Sequence, residues 1–260
     1  MTAPIRAVGN GVARTIALIG ALARFFVHTV DAVRTLPGAG RRVTARVLVK
    51  QVWFTALQAI PLIIILSSIL SFLVISQAVR ELGRIGATEL MGRIMVVVIV
   101  RELGPLLTAA LVASRSGTAI AAELATNKVM GEVNALEGMG IDPLHYLVLP
   151  RFGAAVISTF GLIIFFDLVA LLAGLVAATT AGMSPERYFD IVLQSLTFRD
   201  VWLTLVKGLA FGAIVGLIPA FHGLRISGKP TEVPIASSRA VVGSIVSIFV
   251  GSGLFVLLSI

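Results

Sequence analysis

The sequence contains no cysteine among its 260 residues, and only 13% of its residues are charged. The absence of cysteine excludes disulfide frameworks, thiolate metal sites and cysteine nucleophiles. The three histidines, His28, His145 and His222, are scattered, and no HExxH motif is present. Hydrophobic residues make up 57% of the chain, and its mean hydropathy is +1.01. A soluble domain of this length could not bury so much apolar surface, so the composition predicts an integral membrane protein.

The chain carries a formal net charge of +8, which raises nucleic-acid binding as an alternative. Basic loops beside apolar spans more commonly reflect the orientation of a membrane protein and its contact with anionic lipid. We therefore expect a membrane environment and no nucleic-acid partner. The N-terminus lacks a short apolar core followed by a small-residue cleavage site, so we expect residue 1 to be the mature start.

Long apolar runs predict an all-α protein with five transmembrane helices. The first run contains no charged residue, and at about 1.5 Å per residue it covers a hydrocarbon core of roughly 30 Å. The second run is too long for one crossing, so part of it projects beyond the membrane or it bends at Gly104-Pro105. The five predicted spans are 52–77, 93–125, 152–181, 201–221 and 240–260.

Residues 10–35 have the pattern of an amphipathic helix that precedes the spans. Their polar residues, including Arg14, Arg24 and Asp31, fall on one side of a helical wheel. A helix of this kind lies in the membrane interface and does not cross it. The alternative is a short first span that carries two arginines.

The distribution of basic residues predicts the orientation of the chain. With the N-terminus inside, the inner segments hold thirteen lysines and arginines and the outer links hold five. Eight of the thirteen lie in the first 50 residues. Because an excess of basic residues marks the cytoplasmic side, we expect a cytoplasmic N-terminus and a C-terminus on the opposite side.

Small residues recur at four-residue spacing in three of the predicted spans. Such ladders let helix backbones approach closely, where lipid offers no hydrophobic drive for association. The ladders serve either internal packing or, for one of them, the seam of a homodimer. They are Ala109/Ala113/Gly117/Ala121/Ala125, Gly208/Gly212/Gly216 and Gly243/Ser247/Gly251.

Two motifs with possible catalytic meaning fail on inspection. Residues 223–230 read GLRISGKP, close to the phosphate-binding pattern GxxxxGK[ST], but Pro230 replaces the hydroxyl residue that would hold Mg²⁺. Ser114 and Ser116 have no GxSxG context for a hydrolase. We therefore expect no enzymatic activity in this chain, and an ATPase, if one drives it, must be a separate chain.

Charged residues inside the predicted spans are candidates for function, because an unpaired charge in the membrane is costly. Arg101 and Glu102 lie near the outer end of the second span, and Lys207 lies at a comparable depth in the fourth. A Glu102–Lys207 pair would leave Arg101 to meet a phospholipid phosphate. The alternative is a structural ion pair that only holds two helices. Asp167 is either a further partner of these charges or bonds to a Ser or Thr on a neighbouring span.

Two other features of the same region remain open at this point. Arg115 and Glu123 are interpreted as a paired structural brace. Residues 132–142 are amphipathic, and their glycines together with Pro143 limit a helix to a short length at the cytoplasmic boundary. This helix is either a surface linker or a docking element for a partner protein.

The sequence RELGPLLTAALVASRSGTAIAAELATNKV, followed by ALEGMGIDP and then PRF at 150–152, closely resembles the MlaE (YrbE) family of ABC-transporter permeases. That family works with MCE proteins in lipid transport across the bacterial envelope. The match is dense from residue 101 to 152, and the five-span arrangement with an N-terminal interfacial helix extends it over nearly the whole chain. We therefore expect a single MlaE-type permease domain over 1–260.

The resemblance implies a permease homodimer in the bacterial inner membrane, with a periplasmic C-terminus, two cytoplasmic ATPase subunits and a hexameric periplasmic MCE ring. It implies no cofactor of this chain's own, since ATP binds to the ATPase. Arg101, Glu102 and Lys207 match family positions that line an outward lipid cavity. Segment 131–143 matches the coupling helix that seats in the ATPase. Its candidate contact residues are Glu132, Leu136, Glu137, Met139, Asp142 and Pro143.

The chain departs from the family pattern at two places. The usual Glu-Gln-x-Asp entry to the coupling helix is Gly131-Glu132-Val133-Asn134 here, which bears on the choice of ATPase partner. An acidic residue that some members carry in the last span is absent, and Gly251 stands near that point.

The sequence therefore predicts the membrane subunit of an ATP-driven phospholipid transporter. A proton-coupled secondary transporter of an amphipathic solute, using Glu102, Asp167 and Lys207, is the alternative. Such a transporter would show paired repeats with broken helices, and five spans do not divide into two equal halves. A scaffold without transport activity would explain the docking helix but not the charges within the spans.

Overall fold

A computed structural model describes residues 20–29, 31–32 and 41–259 of the chain. Every regular element in these residues is helical. Five helices are long and apolar enough to cross a membrane, which confirms the predicted all-α membrane fold. In chain order the helices are α1 (Arg41–Arg84), α2 (Leu90–Val129), α3 (Glu132–Gly138), α4 (Leu144–Thr180), α5 (Pro185–Ser195), α6 (Phe198–Leu224) and α7 (Val233–Leu258).

The long helices extend beyond the apolar runs that predict them. Each helix begins before its predicted span. Helical hydrogen bonding continues through turns that contain charged residues, whereas the apolar runs used to predict the spans stop at those residues. The end of α1 is an example, where Glu81 and Arg84 form an exposed ion pair of 3.2 Å within the helix. Of the predicted helix 10–35, residues 20–29 and 31–32 are helical and the rest lies outside the described residues.

Helix α2 contains two π-helical segments, Met95–Leu103 and Ala113–Gly117. At the end of the first segment the N–H of Gly104 bonds to the carbonyl of Ile99, five residues back. The chain stays helical through Gly104 and Pro105, so α2 is one element of 40 residues. At 1.5 Å per residue it is about 60 Å long and projects beyond a hydrocarbon core of roughly 30 Å.

The glycine ladder of α6 brings this helix against α4. A Cβ on Gly212 would lie 2.8 Å from the Cα of Val156, and one on Gly216 would lie 3.0 Å from the Cα of Phe152. Only glycine permits backbones to approach so closely. The interpretation of this ladder as internal packing is therefore confirmed.

The other two ladders also face the interior of the chain. The alanines of the α2 ladder are fully buried. In α7, Gly243 faces Ile218 and Gly251 faces Phe211, both on α6. These contacts within one chain account for the ladders, so a homodimer seam has to be sought on another surface.

Because successive long helices run in opposite directions, the bundle has two distinct ends. We call the end that carries α3 the α3 end; it also holds the end of α6 and the start of α7. We call the opposite end, which carries α5, the α5 end; it holds the start of α6 and the end of α7.

Candidate functional site

An ion pair joins α2 to α6 near the α5 end. The ammonium of Lys207 lies 2.6 Å from Oε2 of Glu102, and the side chain of Lys207 is 1% exposed whereas that of Glu102 is 23% exposed. The predicted Glu102–Lys207 pair is therefore present. Because the lysine is covered, only the carboxylate of the pair reaches the protein surface.

The lysine also compensates for a defect in the backbone of α2. Pro105 has no N–H to donate to the carbonyl of Arg101, one turn earlier. Lys207 Nζ donates to that carbonyl at 2.9 Å. The hydroxyl of Thr204, one turn earlier on α6, lies 3.0 Å from the carbonyl oxygen of Asp200 and 3.4 Å from that of Val100. Lys207 thus satisfies a carbonyl at the point where the π-helical segment of α2 ends.

Arg101 is engaged by three other residues in this conformation, so its guanidinium would have to leave some of these contacts to meet a phosphate. Its guanidinium donates to Glu102 Oε1 at 3.3 Å, to Asp200 Oδ1 at 3.4 Å and to Ser259 Oγ at 3.2 Å. The side chain is 16% exposed. These contacts place the start of α6 and Ser259, which directly follows α7, against α2.

Sequence reasoning missed Asp200, although a signal for it was present. Thr197-x-x-Asp200 forms a capping box in which Thr197 donates to Asp200 Oδ2 from its N–H at 3.2 Å and its hydroxyl at 2.5 Å. This pattern before an apolar run marks a helix start. The second carboxylate oxygen remains for Arg101, so the cap residue is also an ionic partner inside the bundle.

Helix α7 contributes a hydroxyl to the ion pair between Glu102 and Lys207. Ser252, next to Gly251, donates to Glu102 Oε2 at 3.3 Å. We call the assembled group the polar cluster: Arg101, Glu102, Asp200, Lys207, Ser252 and Ser259. Its two cations and two anions balance formally, and Arg101 with Glu102 forms its accessible edge.

Asp167 lies near the polar cluster but makes no hydrogen bond or ion pair with the described residues. Its Oδ1 is buried without a partner. The carboxylate packs against Gly104, where a Cβ would lie 2.4 Å from Oδ1. Both sequence-based expectations for Asp167 are therefore wrong. No chain of hydrogen bonds links it to Glu102 and Lys207, so the proton-coupled alternative gains no support from these contacts.

The predicted brace between Arg115 and Glu123 is also wrong. Arg115 Nη2 donates to the side-chain oxygen of Gln58 on α1 at 3.0 Å, and its Nη1 donates to the carbonyl of the same residue. Glu123 instead accepts two bonds, of 2.6 and 3.1 Å, from Arg151 at the start of α4. Residues eight apart on one helix are separated by about 12 Å, which explains why each charge turns to a neighbouring helix.

The predicted coupling segment forms the short helix α3 and an ordered turn. Gly131 and Gly140 adopt positive φ angles of 78° and 71°, which place α3 across the ends of α2 and α4. Asp142 Oδ1 accepts from the N–H of Leu144 at 2.8 Å and so starts α4. Val133 is buried and Leu136 half-buried, which anchors α3 to the bundle. The exposed candidates are Glu132, Glu137, Met139 and Asp142, with Pro143 half-buried.

The GLRISGKP segment is explained by helix packing at its first glycine. Gly223 lies within α6, and a Cβ there would lie 2.8 Å from the carbonyl oxygen of Ala121. No strand precedes it in the part of the chain that the structure describes. Within that same part, no group of three or more His, Asp or Glu residues is placed to hold a metal ion.

Comparison with known proteins gives a consistent family. The family described as "Permease MlaE" matches residues 48–258. A probable ABC transporter permease protein of Rickettsia typhi is 32% identical over 79% of this chain and 80% of its own length. The intermembrane phospholipid transport system permease protein MlaE of Haemophilus influenzae is 31% identical over 75% and 76%. The chloroplastic protein TRIGALACTOSYLDIACYLGLYCEROL 1 of Arabidopsis thaliana is 32% identical over 67% of this chain and 50% of its own length.

Proposed function

Because this chain belongs to the MlaE permease family, we propose that it is the membrane subunit of an ATP-driven phospholipid transporter. The transporter moves phospholipid between the bacterial inner membrane and a periplasmic MCE protein. The relative from Haemophilus influenzae is named as a permease of an intermembrane phospholipid transport system, which supports the choice of cargo. ATP is bound and hydrolysed by a separate ATPase dimer, and this chain is a transport subunit without enzymatic activity.

The observation that carries the proposal is the continuity of α2. This one helix holds the accessible edge of the polar cluster near one end and leads directly into α3 at the other. A displacement of α3 by a partner would therefore reach Arg101 and Glu102 through one helix. The ion pair between Glu123 and Arg151 strengthens this connection, because it ties α2 to α4 beside α3.

The lipid headgroup meets the accessible edge formed by Arg101 and Glu102. A guanidinium binds a phosphate through charge-assisted hydrogen bonds, and the neighbouring carboxylate accepts from an ammonium group of a zwitterionic headgroup. Lys207 stays beneath them, where it balances Glu102 and caps the Arg101 carbonyl. Binding therefore requires Arg101 to exchange its contacts with Asp200 and Ser259 for the phosphate.

The cytoplasmic ATPase docks on α3 and the turn that follows it. Glu137 and Met139 face outward here, and Met139 is 65% exposed. An exposed apolar side chain on a segment that also exposes Glu132, Glu137 and Asp142 suits a partner groove with a basic rim. This docking places the α3 end and the N-terminus in the cytoplasm, in agreement with the excess of basic residues in the inner segments.

A second copy of the chain completes the transporter. Ser114 and Arg115 are exposed within the long apolar part of α2. An arginine facing acyl chains is costly, and polar residues within spans generally face protein or a water-filled cavity. This exposed polar face supports a permease homodimer that encloses it.

Co-purification tests the docking assignment. Glu137→Lys in α3 and Met139→Ser in the turn that follows it change the exposed docking surface but leave the Asp142 cap of α4 intact, and each should release the ATPase from the purified complex. Glu186→Lys, a charge reversal on exposed α5 at the opposite end, is the matched control and should retain it. Retention of the ATPase by both docking-surface variants would refute the docking assignment.

A further inference from the structure

A cavity of about 930 Å³ opens at the α3 end, between the last turn of α6 and the first turns of α7. It is separate from the polar cluster, since Arg225 follows Lys207 by 18 positions, or roughly 27 Å along a helix. Gly243 and His222 both line it, and a Cβ on Gly243 would lie in ordinary contact with the imidazole, 3.6 Å from Nε2. We call it the basic cavity, lined by His222, Arg225, Ile226, Ser227, Glu232, Ile235, Ala236, Ser238, Arg239, Val242 and Gly243.

The described lining of the basic cavity has a net positive charge, because two arginines outnumber one carboxylate. Arg225 and Arg239 are exposed and make no ion pair there, and the guanidinium of Arg225 is held 5.3 Å from the centre of the Phe221 ring. The carboxylate in the lining, Glu232, accepts a bond of 2.5 Å from the N–H of Ser227. The imidazole of His222 also lines the cavity, whose positive charge comes from the two guanidinium groups.

The lining also contains an apolar side that continues along the membrane face of α7. Ile235 is 49% exposed and Val242 is 62% exposed, on the same helix as Arg239. The cavity therefore combines two guanidinium groups, a hydroxyl from Ser238 and an apolar wall. A tetrahedral anion with several acceptor oxygens matches the polar part, and an acyl chain matches the wall.

We propose that the basic cavity binds a phosphate group, carried either by an anionic phospholipid of the adjacent leaflet or by a soluble phosphate compound. Arg225 and Arg239 donate to the phosphate oxygens, and Ser238 completes the donor set. Basic pockets between transmembrane helices on the side with excess lysine and arginine are suited to anionic headgroups. The apolar wall favours the lipid as the source of the phosphate.

Native mass spectrometry of the full chain in a neutral detergent tests the proposal, with phosphatidylglycerol as the lipid probe. Arg225→Gln and Arg239→Gln should each weaken binding by about tenfold or more, because each removes a charge-assisted contact. Lys229→Gln is the matched control: it removes the same charge from the same exposed loop, but Lys229 does not line the cavity. This control should bind like wild type.

Inorganic phosphate distinguishes the two sources. If phosphate displaces the lipid and depends on the same arginines, the site takes soluble phosphate compounds; if it does not compete, the site takes lipid headgroups. Arg225 also packs on the ring of Phe221, so Arg225→Gln could weaken binding through a change in packing. Arg239→Gln tests the same site without that contact, and an unchanged melting temperature of each variant verifies its folding. The proposal is overturned if neither probe binds, if both arginine variants bind like wild type, or if Lys229→Gln is equally weakened.

Discussion

The two members of the Glu102–Lys207 pair should respond very differently to neutralisation. Glu102→Gln leaves an ammonium group that is 1% exposed without its counter-charge. Removing one partner of a buried ion pair costs about 3–5 kcal/mol, because the remaining charge can neither pair nor reach water. We therefore expect Glu102→Gln to be among the most destabilising single changes in the polar cluster.

Lys207→Met should cost less, about 1–3 kcal/mol, since methionine retains the apolar stem and the loss is that of two hydrogen bonds. The carboxylate left behind is 23% exposed and keeps contacts with Arg101 and Ser252. The double variant should recover part of the loss of Glu102→Gln, because no isolated ammonium remains.

Unfolding free energies measured by circular dichroism, in micelles titrated with a denaturing detergent, would test this asymmetry. Glu81→Gln is the control, since its exposed pair with Arg84 should contribute less than about 1 kcal/mol. The reasoning is refuted if Lys207→Met costs as much as Glu102→Gln, or if the double variant shows no recovery.

Three further predictions concern contacts outside this pair. Gly104→Ala should lower the free energy of unfolding by about 1–3 kcal/mol, because its Cβ would lie 2.4 Å from Asp167 Oδ1. The same change should cost less in a protein that also carries Asp167→Ala. An equal cost with and without Asp167→Ala would contradict the steric explanation. Burial raises the pKa of the Tyr188 hydroxyl from 10.0 to about 12. The neutral phenol therefore contributes to the free energy of unfolding below pH 10, and this contribution is lost as the pH rises through 12. Tyr188→Phe should abolish both this loss and the tyrosinate absorbance transition near that pH, and persistence of the transition would assign it elsewhere. Arg151→Gln should lower the free energy of unfolding by about 1–3 kcal/mol, because it removes two hydrogen bonds to Glu123. The loss should lie toward the lower end of this range, since the carboxylate is half-exposed. If Arg151→Lys restored the full stability, the need for a bidentate contact would be contradicted.

The sequence predicts those parts of the structure that depend on position along a helix. The number of membrane helices follows from apolar length, and the Glu102–Lys207 pair follows from comparable depth in two spans. Pro105 likewise marks a carbonyl that needs another donor. Each of these inferences needs only the rise per residue and the chemistry of single residues.

The direction in which a side chain points around its helix depends on tertiary packing and could not be predicted in the same way. Arg115 and Glu123 share one helix but meet different neighbours, α1 and α4. Asp167 faces a glycine and not the charges nearby. The capping box marks Asp200 as part of a helix start, but its bond to Arg101 and the bond of Ser252 to Glu102 depend on how α2, α6 and α7 meet, which no local pattern encodes.

ATP-dependent transfer of a fluorescent phospholipid by the reconstituted complex tests the central claim most directly. The permease, its ATPase and its MCE partner would be placed in vesicles, with Glu102→Ala and Lys207→Ala variants in parallel. We predict transfer that requires ATP hydrolysis and falls in both variants. Transfer that proceeds without the ATPase under a proton gradient, or that is unchanged in both variants, would contradict the account.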